Sequence, residues 1–347
     1  MQSSSPTRTD SVPREPKPRR FGFLDLVVAA YCLGLLGVVL TLHVLADAWW
    51  LATVALFGPR WVWAVPLVVL VPLALLRRRL LLLPLAAAAV VVLWPVMGLR
   101  VSPGGTSHPQ SAAEGSLRFM TYNVGGDVKP DPGELEAIIA EIAPHVIVLQ
   151  EYQQPLDPSL LAAKGYELRE NTGMGLVTRL PIKEVHFRDP MDFYKMNGSG
   201  RIEGYVLDFE GRDVFVMNVH LETVREGLAE VRRRAWKGAP ELRANIEQRE
   251  RESTAAREYF DAKSGPRIAA GDFNLPVESD IFDRHWSDLR DTFDEKGFGF
   301  GTSKVTRFFG IRIDHILVGS EWTVEHAWVG RDFGGDHRPV VADLRLK

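Results

Sequence analysis

Residues 267–274 read Arg-Ile-Ala-Ala-Gly-Asp-Phe-Asn. The short apolar run Arg267–Ala270 predicts a buried strand, and the glycine after it opens a turn that carries Asp272 and Asn274. Working outward, the same pattern recurs: an apolar strand that ends in a polar, chemically capable residue. Leu117–Asn123 (LRFMTYN) ends in Asn123, His145–Leu149 runs into Gln150 and Glu151, and Val214–His220 ends in His220. Asp314 and His315 interrupt the apolar stretch Arg312–Val318, and Asp336-His337 precede a last strand at Val340–Leu344. Leu176–Thr178 and Gly204–Phe209 are further strands. The helices are fewer. Asp131-Pro132-Gly133-Glu134 reads as a capping box with proline at the first helical position. Leu135, Ile138, Ile139 and Ile142 follow as an apolar stripe at helical spacing, and Glu241–Phe260 is a charged helix leading to the Arg267 strand. Many short strands with few helices predict an α+β fold of two packed sheets with helices outside.

Each polar strand end has an ordinary explanation by itself. Asn and Asp are turn residues that bond their own backbone, a single His beside a strand has many roles, and Glu151 alone could be a surface carboxylate. The set is more specific. Carboxylates and amides are the oxygen donors that hard cations such as Mg²⁺ (or Mn²⁺) take, and His or Asp beside them can activate water for attack on a phosphoryl centre. A sheet rim is a rigid place from which to aim such groups at one point.

In order, TYN (Asn123), LQE (Glu151), NVHLE (His220), GDFN (Asp272, Asn274), RIDHI (Asp314) and GDHRPV (Asp336, His337) resemble the motifs of the endonuclease/exonuclease/phosphatase superfamily. Gly173–Ile182 (GMGLVTRLPI) also resembles its strand-and-turn segment. The resemblance covers residues 117–343. It implies a four-layered α/β sandwich of two packed mixed sheets flanked by helices, with the site at their shared rim. By the same resemblance Glu151 is the main metal ligand, with Asn123 and Asp336 helping. Asp272 orients or deprotonates the attacking water, and Asn274 holds that water or a phosphate oxygen. His337, paired with Asp314, stabilises negative charge, and His220 meets the phosphoryl oxygens or the leaving group; whether Asp272 or His337 is the base stays open. Two positions depart from the pattern: Gly125 stands where some relatives carry an acidic ligand, and Gly335 stands where a Ser is usual.

The N-terminal third has a different character. Overall the chain is 46% hydrophobic with a net charge of -3. Residues 1–114 hold 10 basic and 5 acidic side chains, leaving 31 basic and 39 acidic in the remainder, a net of -8. Such an acidic domain gains nothing from bulk electrostatics in meeting a polyanion. Cys32 is the only cysteine, so no disulfide framework exists within one chain. Residues 1–20, rich in Pro, Ser and Arg, read as a disordered tail. Within 21–100 three apolar runs follow, Phe21 to about Leu45, Trp61–Leu76 and Leu80–Leu99. Their lengths predict a three-helix transmembrane anchor that partners a lipid bilayer. The second run spans only about 24 Å and contains Pro66 and Pro72; it draws on Trp49–Phe57 or thins the bilayer. Arg14, Lys17, Arg19 and Arg20 precede the first run and Arg77-Arg78-Arg79 separate the second from the third, which places both in the cytoplasm. Three crossings then put the catalytic domain, residues 116–347, outside a cell membrane. Residues 101–115, with Pro103, Gly104, Gly105 and Pro109, have the composition of a flexible linker.

These readings predict a membrane-tethered, divalent-metal-dependent phosphodiesterase of endonuclease type acting outside the cytoplasm. The alternatives are a phospholipid, sphingomyelin or inositol-phosphate hydrolase and a non-catalytic binding module on the same fold. Between Thr223 and Pro240 the sequence carries Arg225, Arg232, Arg233, Arg234 and Lys237. They are either a basic lip for a phosphate backbone or lipid head group, or a solvated helix face balanced by Glu226 and Glu230. Oligomeric state leaves no mark in the sequence.

Overall fold

Alternation with period two in the C-terminal part and unbroken apolar runs in the N-terminal part give two kinds of architecture in the computed structural model, which describes residues 22–106, 108–125, 133–153, 156–187 and 198–347. The main strands are β1 (Leu117–Asn123), β2 (Val146–Gln150), β3 (Glu167–Asn171), β4 (Met174–Thr178), β5 (Ile182–Phe187) and β6 (Arg201–Phe209). They continue with β7 (Arg212–His220), β8 (Arg267–Asp272), β9 (Arg290–Asp291), β10 (Asp314–Val318), β11 (Trp322–Val329) and β12 (Val340–Leu346). Two six-stranded sheets result, in the orders β11-β12-β1-β2-β4-β3 and β9-β10-β8-β7-β6-β5.

Each sheet is antiparallel except at its centre, where β1 pairs with β2 and β7 with β8 in parallel. A parallel pair needs a crossover. The helix Glu134–Ile142 supplies one, and the helices Arg225–Arg234 and Ala239–Asp261 supply the other. The geometric consequence decides where chemistry can occur: parallel neighbours finish at the same edge. Asn123 lies beside Gln150 at the end of one central pair, and His220 lies beside Asp272 at the end of the other.

The sheets pack face to face through Leu117, Phe119, Val148, Leu176, Val216, Ile268, Ile316 and Leu344, all essentially fully buried. Alternate residues of the same strands face the outer layers. Met120, Ile147 and Val341 pack under Ile138, Ile139 and Ile142 of the crossover helix, while Met217, Ala269 and Leu317 pack under Ala256, Phe260 and Trp286. Helix, sheet, sheet and helix make four layers, the α+β sandwich that the sequence implies.

Several local expectations change. The helix after β1 begins at Glu134 with Gly133, at φ 86°, as its cap and no side-chain cap bond; Asp131 and Pro132 of the expected capping box lie outside the described residues. β10 starts at Asp314 rather than Arg312, and the backbone N–H of Ile313 just before it donates to Ser303 Oγ at 3.1 Å. Strands β3, β5 and β11 carry no clean alternation and escape a reading by period.

The three apolar runs form helices spanning Phe23–Ala48, Arg60–Arg77 and Arg79–Val96, each long and apolar enough to cross a membrane. Trp50–Leu56 does not extend the second one; the break at Gly58-Pro59 leaves it as a short helix of its own. The linker also departs from its composition. Buried Arg118, paired with Asp343, donates to the carbonyls of Pro109 at 3.0 Å and Gln110 at 3.2 Å, which lays the segment against the domain. Arg100–Val101 even pairs as a strand with Phe298–Gly299.

Candidate active site

Beneath the common rim a polar seam joins the two sheets. Thr121 of β1, Gln150 of β2 and Asn218 of β7 point inward at positions where the same strands bury Phe119, Val148 and Val216 further down. Gln150 Nε2 donates to Asn218 Oδ1 at 2.7 Å and to Thr121 Oγ1 at 3.1 Å, and Asn218 Nδ2 donates to the carbonyls of Leu149 and Gly175. A satisfied buried network of this kind fixes the register of one sheet on the other. Sequence reading passed over these three residues. Their signal was a polar residue in the inward phase of an otherwise apolar strand.

Asp272 stands at the centre of the rim. Its Oδ2 accepts from Asn123 Nδ2 at 3.0 Å and lies 3.7 Å from His337 Nε2 and 3.9 Å from His220 Nε2. Its Oδ1 accepts the backbone N–H of Asn274 at 2.9 Å, an Asx turn that leaves Asn274 in the left-handed region at φ 51°. Asn274 Nδ2 donates to the Leu221 carbonyl at 2.8 Å, tying the turn to the end of β7. Gly271 makes the close approach possible, since a Cβ there would lie 1.8 Å from the Val219 carbonyl oxygen.

His337 is held from behind. Its Nδ1 sits 2.9 Å from Asp314 Oδ2, and Ser303 Oγ accepts the backbone N–H of Asp314 at 3.0 Å. Asp272, Asp314 and His337 offer ligand atoms that all lie within 4.8 Å of one another, and each residue is at most 2% exposed. Charge is shared unequally among them. Burial, and then the neighbouring Asp314 carboxylate, push the Asp272 acid up from the usual carboxylate range. Burial also opposes ionisation of Asp314, but the attraction and hydrogen bond of His337 outweigh it and hold Asp314 down. Against the same burial, Asp314 and Asp272 raise the His337 ring.

At the mouth stand Glu151 and His220, with side chains 32% and 21% exposed and 3.7 Å apart. Asn123 Nδ2 donates to Glu151 Oε1 at 3.1 Å as well as to Asp272, so one amide bridges two carboxylates. Glu151 holds a left-handed backbone at φ 51°, strain of a kind that clusters at functional sites. Gly125 bears directly on it. A Cβ at 125 would come within 2.2 Å of Glu151 Cβ and 2.3 Å of Glu151 Oε2, so Glu151 can hold this position only because residue 125 is glycine.

Of the predicted residues, Asn123, Glu151, His220, Asp272, Asn274, Asp314 and His337 are thus linked contact by contact. Asp336 adjoins His337 in sequence, but its carboxylate is held at 2.5 Å by Lys304 Nζ. His315, next to Asp314, points to the opposite face and bonds Asp291 and the Leu275 carbonyl in the outer layer. Two members of the basic lip are neutralised: Arg233 pairs with Glu230, and Arg234 with Glu241. Trp236 is 70% exposed beside Lys237.

The model of the Endonuclease/Exonuclease/phosphatase family matches residues 120–337, the span that contains every one of these side chains. No curated protein matches the chain. Among solved structures, an endonuclease/exonuclease/phosphatase from Beutenbergia cavernae DSM 12333 is 22% identical with a TM-score of 0.49, covering 67% of this chain and 72% of that one. The 3′ phosphatase NExo from Neisseria, bound to a product DNA hairpin, is 19% identical with a TM-score of 0.49, covering 67% and 99%. D. rerio TDP2 complexed with a single-strand DNA product is 16% identical with a TM-score of 0.49, covering 67% and 100%.

Proposed function

Because the chain belongs to the endonuclease/exonuclease/phosphatase family, we propose that this phosphoester hydrolase is a Mg²⁺- (or Mn²⁺-) dependent phosphodiesterase of endonuclease type, tethered to a membrane and acting outside the cytoplasm. The observation that carries the reading is Asp272 Oδ2, within 3.9 Å of three nitrogen atoms from both sheets, with the Glu151 carboxylate at the opening.

The donor set fits a hard cation: the Glu151 carboxylate stands at the mouth with the Asn123 amide beside it, the hard oxygen donors that such an ion takes. Glu151 and Asn123 would hold it. Asp336 would join them only by exchanging the Lys304 ammonium for the ion. When bound, the cation polarises a phosphoryl oxygen and offsets the charge that develops on it. Asp272 orients the attacking water and takes its proton, while Asn274 and the Asx turn fix the Asp272 carboxylate. His337, with its tautomer set by Asp314, directs Nε2 into the site as a donor to negative charge. His220, partly exposed at the mouth, meets the phosphoryl oxygens or the leaving group.

The membrane reading is supported by the arrangement of the apolar helices. Asp25, at the start of the first, pairs with Arg78, before the third, so those two ends lie together. Arg60, at the start of the second, donates to the Val96 carbonyl at the end of the third, on the side that meets the catalytic domain. With the Arg-rich turn inside, that domain lies outside. A second substrate class, a lipid head-group phosphoester, is favoured by one feature. The hairpin that supplies Ser303 and Lys304 to the site also carries Phe308, 71% exposed, whose carbonyl accepts from Trp61 Nε1 of the second apolar helix.

The test is direct. Full-length protein in detergent with Mg²⁺ is incubated with plasmid DNA, RNA, sphingomyelin and inositol phosphates. Nicking of plasmid that is abolished in Glu151→Ala and His337→Ala supports the nuclease. Cleavage of lipid alone replaces it with the second class. A folded protein inert on all four overturns the catalytic proposal and leaves a binding module. A reporter fused after Lys347 and active only inside the cytoplasm would overturn the topology.

A further inference from the structure

The turn that presents Asp272 continues into residues 274–279, and this segment is gripped by the N-terminal helices. Arg249, on the helix Ala239–Asp261 and 1% exposed, donates from NH2 to the Asn274 carbonyl at 2.6 Å. Its NH1 reaches Asp47 Oδ1 at 3.3 Å, and its guanidinium lies 5.0 Å over the Phe57 ring. Asp47 belongs to the turn that ends the first apolar helix, and its side chain is 2% exposed. The other oxygen of Asp47 accepts the Ser279 hydroxyl, which also caps the helix Asp280–Trp286. Between these two points Glu278 takes both terminal nitrogens of Arg60, at 2.7 and 3.0 Å.

A charge pair as buried as Asp47 and Arg249 carries a desolvation cost that geometry alone rarely repays. Here Arg249 Nε meets no acceptor among the described residues, so the guanidinium is not optimised for stability. What it does accomplish is to fix a carbonyl of a left-handed Asn, one residue pair away from the carboxylate at the centre of the site. We propose that the N-terminal helical region is part of the catalytic apparatus: Asp47, through Arg249, is a positioning residue that holds the Asp272–Asn274 turn in its working geometry. Detaching the helices would therefore loosen the site itself. The proposal rests on Asp272 acting in hydrolysis as described above.

The experiment separates positioning from simple stabilisation. Full-length wild type, Asp47→Ala, and the apolar pair Asp47→Leu with Arg249→Met are compared in lipid nanodiscs. Melting temperature, Mg²⁺-dependent hydrolysis of bis(4-nitrophenyl) phosphate, and amide hydrogen exchange over residues 272–276 are measured. Asp47→Ala leaves a buried cation unmatched and lowers the melting temperature, whereas the apolar pair restores it. Positioning predicts that the restored protein still loses about tenfold or more in kcat, with KM within about twofold of wild type. It also predicts faster exchange at 272–276 with β8 above the turn unchanged. Recovery of kcat in the apolar pair, or unaltered exchange at 272–276, overturns the proposal. If wild type hydrolyses no phosphodiester, the functional reading fails instead, and the exchange measurement still decides whether the brace exists.

Discussion

Asp314 faces Asp272 directly across the antiparallel register of β10 and β8, so two buried carboxylates are neighbours in one sheet. His337 touches both, with Nδ1 toward Asp314 and Nε2 toward Asp272. The ring therefore separates two acids whose surroundings drive them in opposite directions. Asp314→Asn replaces an acceptor-only partner with an amide that can present its N–H₂ to Nδ1 and favour the wrong tautomer. Turnover should fall roughly 10²- to 10⁴-fold with KM little changed. Steady-state kinetics beside an unaltered circular dichroism spectrum would check this; a variant as active as wild type would remove His337 from the mechanism.

Glu151 is the most exposed carboxylate at the rim, and Asn123 is its amide neighbour. Glu151→Gln keeps the shape and removes the charge that attracts a divalent ion. The Mg²⁺ concentration for half-maximal rate should rise by about 10-fold or more, and calorimetric binding of Mg²⁺ should weaken in parallel. An unchanged Mg²⁺ dependence would move the cation to the buried Asp272, Asp314 and His337 group instead.

Gly125 provides a test with an unusual sign. An acidic residue two places after the Asn123 position reads, by resemblance, as an additional ligand. The structure gives it no room, since even a Cβ would lie 2.2 Å from Glu151 Cβ. Gly125→Asp should therefore lower metal affinity and activity by roughly 10-fold, and Gly125→Ala should do the same, because both displace Glu151. A gain in metal affinity for the aspartate variant alone would show that the backbone yields.

Legibility in the sequence followed a physical division. Strands buried on both faces, such as β1, β2 and β8, announced themselves by apolar runs, and the polar residues at their ends stood out against that background. His315 could not be told from Asp314 by composition. Alternation along β10 sends one to the rim and the other to the outer layer, and that became clear only once the strand began at Asp314. Lys304 lies in a two-residue strand and Ser303 and Gly125 in loops, all too short to show a periodicity. Their roles arise from contacts with Asp336, Asp314 and Glu151 that no local pattern encodes. Asp47 drew no notice in the sequence, since its meaning depends on Arg249, 202 residues away.

The same junction should respond to acid. Glu278 is largely buried, and although burial works against its charge, Arg60 draws the carboxyl down to about 2. A group whose folded value lies below its unfolded value adds stability above the unfolded range, and that stability disappears as pH falls toward the folded value. Starting from the ordinary value of 4.5, the contribution at neutral pH is about 3 kcal/mol, complete above about pH 5 and fading toward pH 2. Glu278→Gln should thus lower the melting temperature of the full-length protein at pH 7, and its deficit against wild type should shrink steadily between about pH 5 and pH 3. The comparison is best made on the difference between the two proteins, because other carboxylates titrate in the same window and affect both alike. A deficit that stays constant down to pH 3 would mean that Arg60 does not stabilise the ionised carboxylate, and that the contact between the helices and the segment after Asp272 rests on packing and on the Asp47 bonds to Arg249 and Ser279.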